Sequence, residues 1–177
     1  MALFVVAYPI IDATALERIE AVRRLHDPVG HAKIRPHVTL AFALHGVAPE
    51  TVASAAREAA AGPIGIALRA VMAMPDLVAG GHLVYLVPDT GFAALVALHR
   101  RLHAGVLAPF RRLDIPFVPH ITLSARLDAA PADKLAVDLA GAGLDCDGHI
   151  EQLTIVDLTG DKAINVGEIP LLRMTAI

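Results

Sequence analysis

The sequence predicts an α+β fold in which the second half of the chain repeats the plan of the first. Three observations predict it. Runs with strand character interleave with segments of helical period, in the order strand, helix, strand, helix, two strands, then helix, strand, helix, two strands. The pentapeptide PHVTL at Pro36–Leu40 returns as PHITL at Pro119–Leu123, at the equivalent place in each half. No linker rich in Ser or Gly and no charge run separates the halves, so they are expected to share an interface within one domain spanning 1–177.

The elements follow in order. Residues 2–8, ALFVVAY, read as a buried strand. Asp12 or Thr14 caps a helix that runs to about Asp27, with Leu16, Ile19, Val22 and Arg23 at helical spacing, and Pro28 and Gly30 end it. Residues 32–44 form the strand that carries the first pentapeptide. An alanine-rich helix covers 48–61, and Gly62-Pro63 closes it. Strands at 64–74 and 82–88 pair as a hairpin through PDLVAGG. Residues 90–110 are helical until Pro109, and 117–127 form the strand of the second pentapeptide. A short helix at 131–141 precedes two last strands, about 148–158 and 163–173, that turn near Asp161.

Composition bounds the function. A chain of 177 residues with 55% hydrophobic and 19% charged residues has the material for a substantial core. The net charge of −3 argues against wrapping long nucleic acid, while leaving room for a local pocket for one or two phosphates. One cysteine, Cys146, allows no internal disulfide, and its acidic DCDG setting raises the thiol pKa rather than activating it. The apolar N-terminus has no basic leader and is broken by Pro9 and Asp12, and no run is long enough to span a bilayer. A cytoplasmic monomer with no membrane contact is expected.

The repeated pentapeptide carries the chemistry. Strand alternation puts His37 and Thr39 on one face and Val38, Leu40 and Phe42 on the other; it separates His120 and Thr122 from Ile121 and Leu123 in the same way. Pro36 and Pro119 suit a strand start or edge, because proline donates no ladder hydrogen bond. By composition, two such His-x-Thr-Leu runs arise by accident on the order of once in a thousand chains. Two facing imidazoles make an acid–base pair near neutral pH, one taking a proton from a nucleophile and the other giving one to a leaving oxygen. Each threonine hydroxyl can hold a non-bridging phosphate oxygen. No metal and no cofactor is required.

The paired motifs resemble those of the 2H phosphoesterase superfamily, which includes bacterial 2′-5′ RNA ligase-like proteins and RNA 2′,3′-cyclic phosphodiesterases. The resemblance extends along almost the whole chain. It implies two pseudo-symmetric, intertwined lobes of antiparallel sheet with helices on their outer faces, around a central groove. It further implies that His37 and His120 are catalytic, with Thr39 and Thr122 beside them. The implied substrate is an RNA end or nucleotide carrying a 2′,3′-cyclic phosphate, or a related 2′-5′ diester. The alternatives are a 2′-5′ RNA ligase and a nucleotide or RNA-end binding protein without turnover. In the cyclic phosphodiesterase branch an arginine often follows the second motif directly. Here HITLSAR places Arg126 one residue later, on the other strand face unless a bulge intervenes. Lys33 and Arg35, before the first motif, are the other candidate substrate contacts.

Further residues read as structural. HRRLH at 99–103 has the spacing of a zinc-binding helix pair but lacks its glutamate and carries two arginines, so it reads as a solvated helix face with partly buried histidines. His31, His45, His82 and His149 stand alone. Phe42, Tyr85 and Phe117 are candidates to stack a base, although alternation turns Phe42 and Phe117 away from the histidines.

Overall fold

A computed structural model describes residues 2–172. In chain order the elements are β1 (Ala2–Ala7), β2 (Ile10–Ile11), α1 (Ala13–His26), α2 (Pro28–Lys33), β3 (Val38–His45), α3 (Pro49–Ala59), β4 (Ile64–Pro75), β5 (His82–Thr90), α4 (Phe92–Leu102), a 3-10 helix (Gly105–Phe110), β6 (Ile121–Leu127), α5 (Ala129–Ala140), β7 (Cys146–Ile150), β8 (Gln152–Asp157) and β9 (Ile164–Pro170). The strands build two antiparallel sheets, β3-β1-β8-β9 and β2-β7-β4-β5-β6. This is the expected α+β architecture of two pseudo-symmetric lobes around a groove, and each pentapeptide lies at a sheet edge.

The pseudo-symmetry reaches the register of single residues. Ala7, Val6, Val5 and Leu3 of β1 face Val38, Thr39, Ala41 and Leu44 of β3. Leu86, Tyr85, Val84 and His82 of β5 face Ile121, Thr122, Ser124 and Leu127 of β6. Motif-strand partners correspond at a constant offset of 83 positions, and both strands carry the same two bulges.

The lobes are not the two halves of the sequence. The β8–β9 hairpin returns to pair with β1, so the first lobe is built from both regions of the chain. The helices cross over as well. Helix α1 follows β1 of the first sheet by way of the short β2, which already pairs in the second sheet, and packs on β6 of the second, while α4 follows β5 and packs on β3. Helices α3 and α5 cover the sheet of the motif strand they follow. One continuous apolar cluster therefore joins Leu3, Leu40 and Leu44 to Leu68, Leu86 and Leu123.

Several boundaries differ from expectation, each for a local reason. Asp12 is the cap of α1, its carboxylate accepting from Ala15 N at 2.9 Å. Leu16 remains 39% exposed, and α1 buries Ala15, Ile19 and Arg23 instead. Pro28 starts a helix rather than ending the fold of this segment. Asp27 caps α2 by accepting from Gly30 N at 3.1 Å, and proline is preorganised for the first helical turn. The strand expected at 32–44 therefore begins only at Val38, and the one expected at 117–127 begins at Ile121. The helix expected over 90–110 ends at Leu102, and Pro109 sits in the 3-10 helix that follows. Gly91 allows α4 to start against β4, because a Cβ there would collide with the Gly65 carbonyl oxygen. The strand expected at 148–158 is two strands in different sheets, split at Glu151. The last strand ends at Pro170, and position 173, expected within it, lies outside the described residues. No described helix is long and apolar enough to cross a membrane.

Leu40 and Leu123 are fully buried at matching positions. Leu40→Ala and Leu123→Ala should each cost about 2–5 kcal/mol of stability in urea denaturation. A loss under about 1 kcal/mol at either position would contradict their equivalent packing.

Candidate active site

Each pentapeptide shows the same exposure pattern: buried Pro, half-buried His, buried Val or Ile, half-buried Thr, buried Leu. Alternation thus anchors the strand through its apolar residues and leaves His37 with Thr39, and His120 with Thr122, on the open side. Both histidines stand one residue before the first ladder residue of an edge strand, next to the proline that cannot pair.

The two rings are oriented by the same bond. His37 Nδ1 donates to the Arg35 carbonyl at 2.8 Å, and His120 Nδ1 donates to the Val118 carbonyl at 2.7 Å. A carbonyl oxygen only accepts, so in the neutral ring the proton sits on Nδ1 and the lone pair on Nε2.

The sequence leads one to expect imidazoles that titrate near neutrality. The structure corrects this. Burial in the groove walls pushes His37 down to about 4, with the backbone bond to Arg35 opposing and the charges of Arg23 and His120 adding to the shift. Burial likewise pushes His120 down to about 4, against the bond to Val118. Both rings of the free protein are neutral at pH 7. The charge of His120 is the smallest of the influences on His37, which puts the two motif histidines within electrostatic reach of each other.

The surroundings of the two rings differ. The Tyr85 ring is stacked on His120, with centroids 3.4 Å apart and planes 14° from parallel. Burial pushes the Tyr85 hydroxyl up to about 12, with Asp76 adding to the effect. Tyr8 meets His37 edge-on at 6.2 Å, and the Arg35 guanidinium lies 3.8 Å over the Tyr8 ring. Arg23 is the residue that sequence reasoning missed. It is 2% exposed, donates through Nη2 to the Ile34 carbonyl at 2.8 Å, and lies 3.4 Å from Glu20. Its place on the apolar face of α1 was the available signal.

The remaining candidates are placed as follows. Lys33 lies at the end of α2, not on the motif strand. A bulge does intervene before Arg126, which is exposed and has a φ of 62°, a left-handed conformation that costs a side-chain-bearing residue roughly 1–2 kcal/mol. The matching bulge in β3 moves Phe42 out of the apolar face it was expected to share with Val38 and Leu40, leaving it 45% exposed. Phe117 stacks on His99, with centroids 3.9 Å apart.

HRRLH exposes Arg100 and Arg101, as a solvated face would, but its histidines are buried rather than partly buried, His99 at 7% and His103 at 5% exposure. His99 Nδ1 donates to the Leu40 carbonyl at 2.8 Å, which ties α4 to the first motif strand. The second motif strand has its own tie, Ser124 Oγ donating to the His26 carbonyl of α1 at 2.8 Å. His31 lies 3.4 Å from Glu20, and His149 lies 3.2 Å from Glu151. Cys146 is buried, and burial is the main cause of its raised pKa, with Asp12, Asp147 and Asp145 adding to it. Two hollows of about 330 Å³ each, one beside Ile64 and Arg101 and one beside Arg57 and Ile169, do not include either motif histidine.

The family model of the 2′-5′ RNA ligase superfamily matches residues 11–162. The chain belongs to this superfamily. The resemblance drawn from the paired motifs is thereby established at the level of the 2H phosphoesterase superfamily, an enzyme superfamily. Solved structures share the fold at low identity. LigT of E. coli, crystallised with 3′-AMP, is 21% identical over 97% of this chain and 98% of its own, with a TM-score of 0.63. TT0787 of Thermus thermophilus is 18% identical over 99% of this chain and 100% of its own, with a TM-score of 0.64. A crystal structure described as a phosphoesterase is 19% identical over 97% and 99%, with a TM-score of 0.59. No match was found among curated protein sequences.

Two outcomes follow from the geometry. Each lowered histidine favours the neutral ring in the folded state. The stability this contributes is complete above about 6.5 and is lost as pH falls towards about 4. Proton NMR should therefore place both imidazole midpoints well below 6.5, and denaturation should show stability falling across that window. Midpoints at the ordinary value would contradict the groove's dryness. Tyr85→Leu, which removes the stacked ring, should shift the His120 resonances strongly, while Tyr85→Phe should leave them near their original positions.

Proposed function

We propose that this protein is a metal-independent phosphodiesterase that opens 2′,3′-cyclic phosphates at RNA ends or on nucleotides, with His37 and His120 as general base and general acid. The observation that carries this reading is the matched pair of X-Pro-His segments. Each turns an Nδ1–H onto a backbone carbonyl and leaves Nε2 free for proton transfer, with a threonine two residues on. That a structural relative is crystallised with 3′-AMP, ATP, NADP+ and phosphate supports a nucleotide ligand.

The cyclic diester enters between the two rings. The neutral ring takes a proton from water as the water oxygen attacks phosphorus. The P–O bond on the far side breaks, and the protonated ring gives its proton to the departing ribose oxygen, leaving a 2′-phosphate. Thr39 and Thr122 hold non-bridging oxygens. Arg126, re-aimed by its bulge, is a further candidate contact, as are Arg35 and Lys33. The two lobes act as one unit, since each histidine depends on a helix that crosses from the other lobe, and the protein works as a cytoplasmic monomer.

The low titration of both rings shapes the cycle. One ring must be charged, and an anionic phosphate beside it favours the imidazolium. Substrate binding should therefore take up a proton. The limb of the bell-shaped profile set by the acid should lie at higher pH for kcat, which reports the complex, than for kcat/KM, which reports the free enzyme.

The experiment is a panel of 2′,3′-cyclic nucleotides, cyclic-ended RNA and 2′-5′ dinucleotides, assayed in EDTA. Wild type should open the cyclic substrates, and His37→Ala and His120→Ala should each lose about 10²–10⁴-fold in rate. Activity that survives both single replacements sinks the assignment. Binding without turnover would point instead to a nucleotide-end binding protein, and joining of 2′-5′ ends to a ligase.

A further inference from the structure

We infer that Tyr8 and Arg35 form a nucleobase platform on one flank of the groove, beside His37. The inference rests on the reading that the groove receives a phosphodiester of a nucleotide, and it states where the nucleoside lies. The phosphate site is nearly symmetric, with a histidine, a threonine and a carbonyl-held Nδ1 on each side. A nucleotide is not symmetric about its phosphate. Whatever fixes its direction must be a place where the two lobes differ.

The flanks differ at the residues that surround each ring. Arg35, whose carbonyl holds His37, corresponds to Val118, whose carbonyl holds His120. Tyr8 follows Ala7, the partner of Val38; its counterpart after Leu86, the partner of Ile121, is Val87. At these matched positions one flank carries an aromatic ring under a guanidinium, at 3.8 Å, and the other carries two valines, its own aromatic ring, Tyr85, being stacked on His120.

The chemistry of the pair suits a base. Arg35 is exposed and Tyr8 half-buried, so the stack opens to solvent rather than to core. A planar guanidinium laid on a ring offers its outer face to another π system, or moves aside to leave the ring to it. Tyr8 meets His37 edge-on at 6.2 Å, so its ring borders the histidine at which the phosphate would be received. Of the other aromatic candidates, Tyr85 is engaged on His120 and Phe117 on His99, while Phe42 is exposed but stands five residues beyond His37 along β3. Stacking of this kind tolerates any base, which suits a protein that reads an end rather than a sequence.

The test compares affinities of the full chain for adenosine 2′-monophosphate and for ribose 5-phosphate, by calorimetry. Wild type should prefer the nucleotide about tenfold or more, and Tyr8→Ala and Arg35→Ala should each erase most of that preference. Tyr8→Phe should keep it, and Tyr8→Leu replaces the alanine variant if that one fails to fold. A wild-type protein with no preference overturns the platform. So does a preference unchanged in both variants, or one lost only in Phe42→Ala. Hydrolysis of a cyclic nucleotide is followed in parallel. Absent hydrolysis with an intact preference removes the proposed activity and leaves the platform standing; normal hydrolysis without a preference does the reverse.

Discussion

The exchange of helices between the lobes is the constraint on which the rest depends. Because α1 packs on β6 and α4 packs on β3, neither motif strand is positioned by its own lobe alone. Two polar ties secure the exchange, His99 to the Leu40 carbonyl and Ser124 to the His26 carbonyl. A third kind of bond repeats in both lobes, Arg18 Nη1 to the Gly143 carbonyl at 3.0 Å and Arg101 Nε to the Ala59 carbonyl at 2.8 Å. A shift of one lobe moves the helix that braces the other histidine. The two rings are thus held in one frame, without any covalent link between the lobes other than the chain itself.

Within that frame the histidines are placed where the ladder stops. Proline withholds a donor, the edge strand ends, and the ring that follows is free of β pairing while its Nδ1 is still tied to the backbone two residues earlier. Orientation and tautomer come from that one bond, while the surrounding walls determine how readily the ring accepts charge. These are separable properties. Removing a wall residue would change the proton affinity without turning the ring, whereas removing the bond would free the ring to turn and lower its proton affinity further.

Much of this was legible in the sequence. The repeated His-x-Thr-Leu run is short, local and chemically distinctive, so both histidines, both threonines and the strand alternation around them could be read directly. The α+β order was readable for the same reason, since each element carries its own period. The departures have a common cause in distant contacts. Glu151 separates two strands only because neighbouring residues find partners in different sheets, which no local period announces. The bulges that re-aim Arg126 and Phe42 are properties of a pairing, not of a segment. Arg23 looked like an ordinary helix residue, and His99 and His103 looked only partly buried, because tertiary packing alone buries them fully. The depressed histidines belong to the same class, since their dryness is supplied by walls drawn from remote parts of the chain.

The return of β8 and β9 to the first sheet has a consequence for how the molecule is made. During synthesis β1 emerges first and finds β3 soon after, but its second neighbour begins only at Gln152. Until then the inner edge of β1 is an unpaired row of amides and carbonyls next to apolar side chains. The second sheet can complete most of its ladder earlier, from β4 to β6. The sheet begun first is therefore the sheet finished last, and β1 keeps an open edge until β8 has been made.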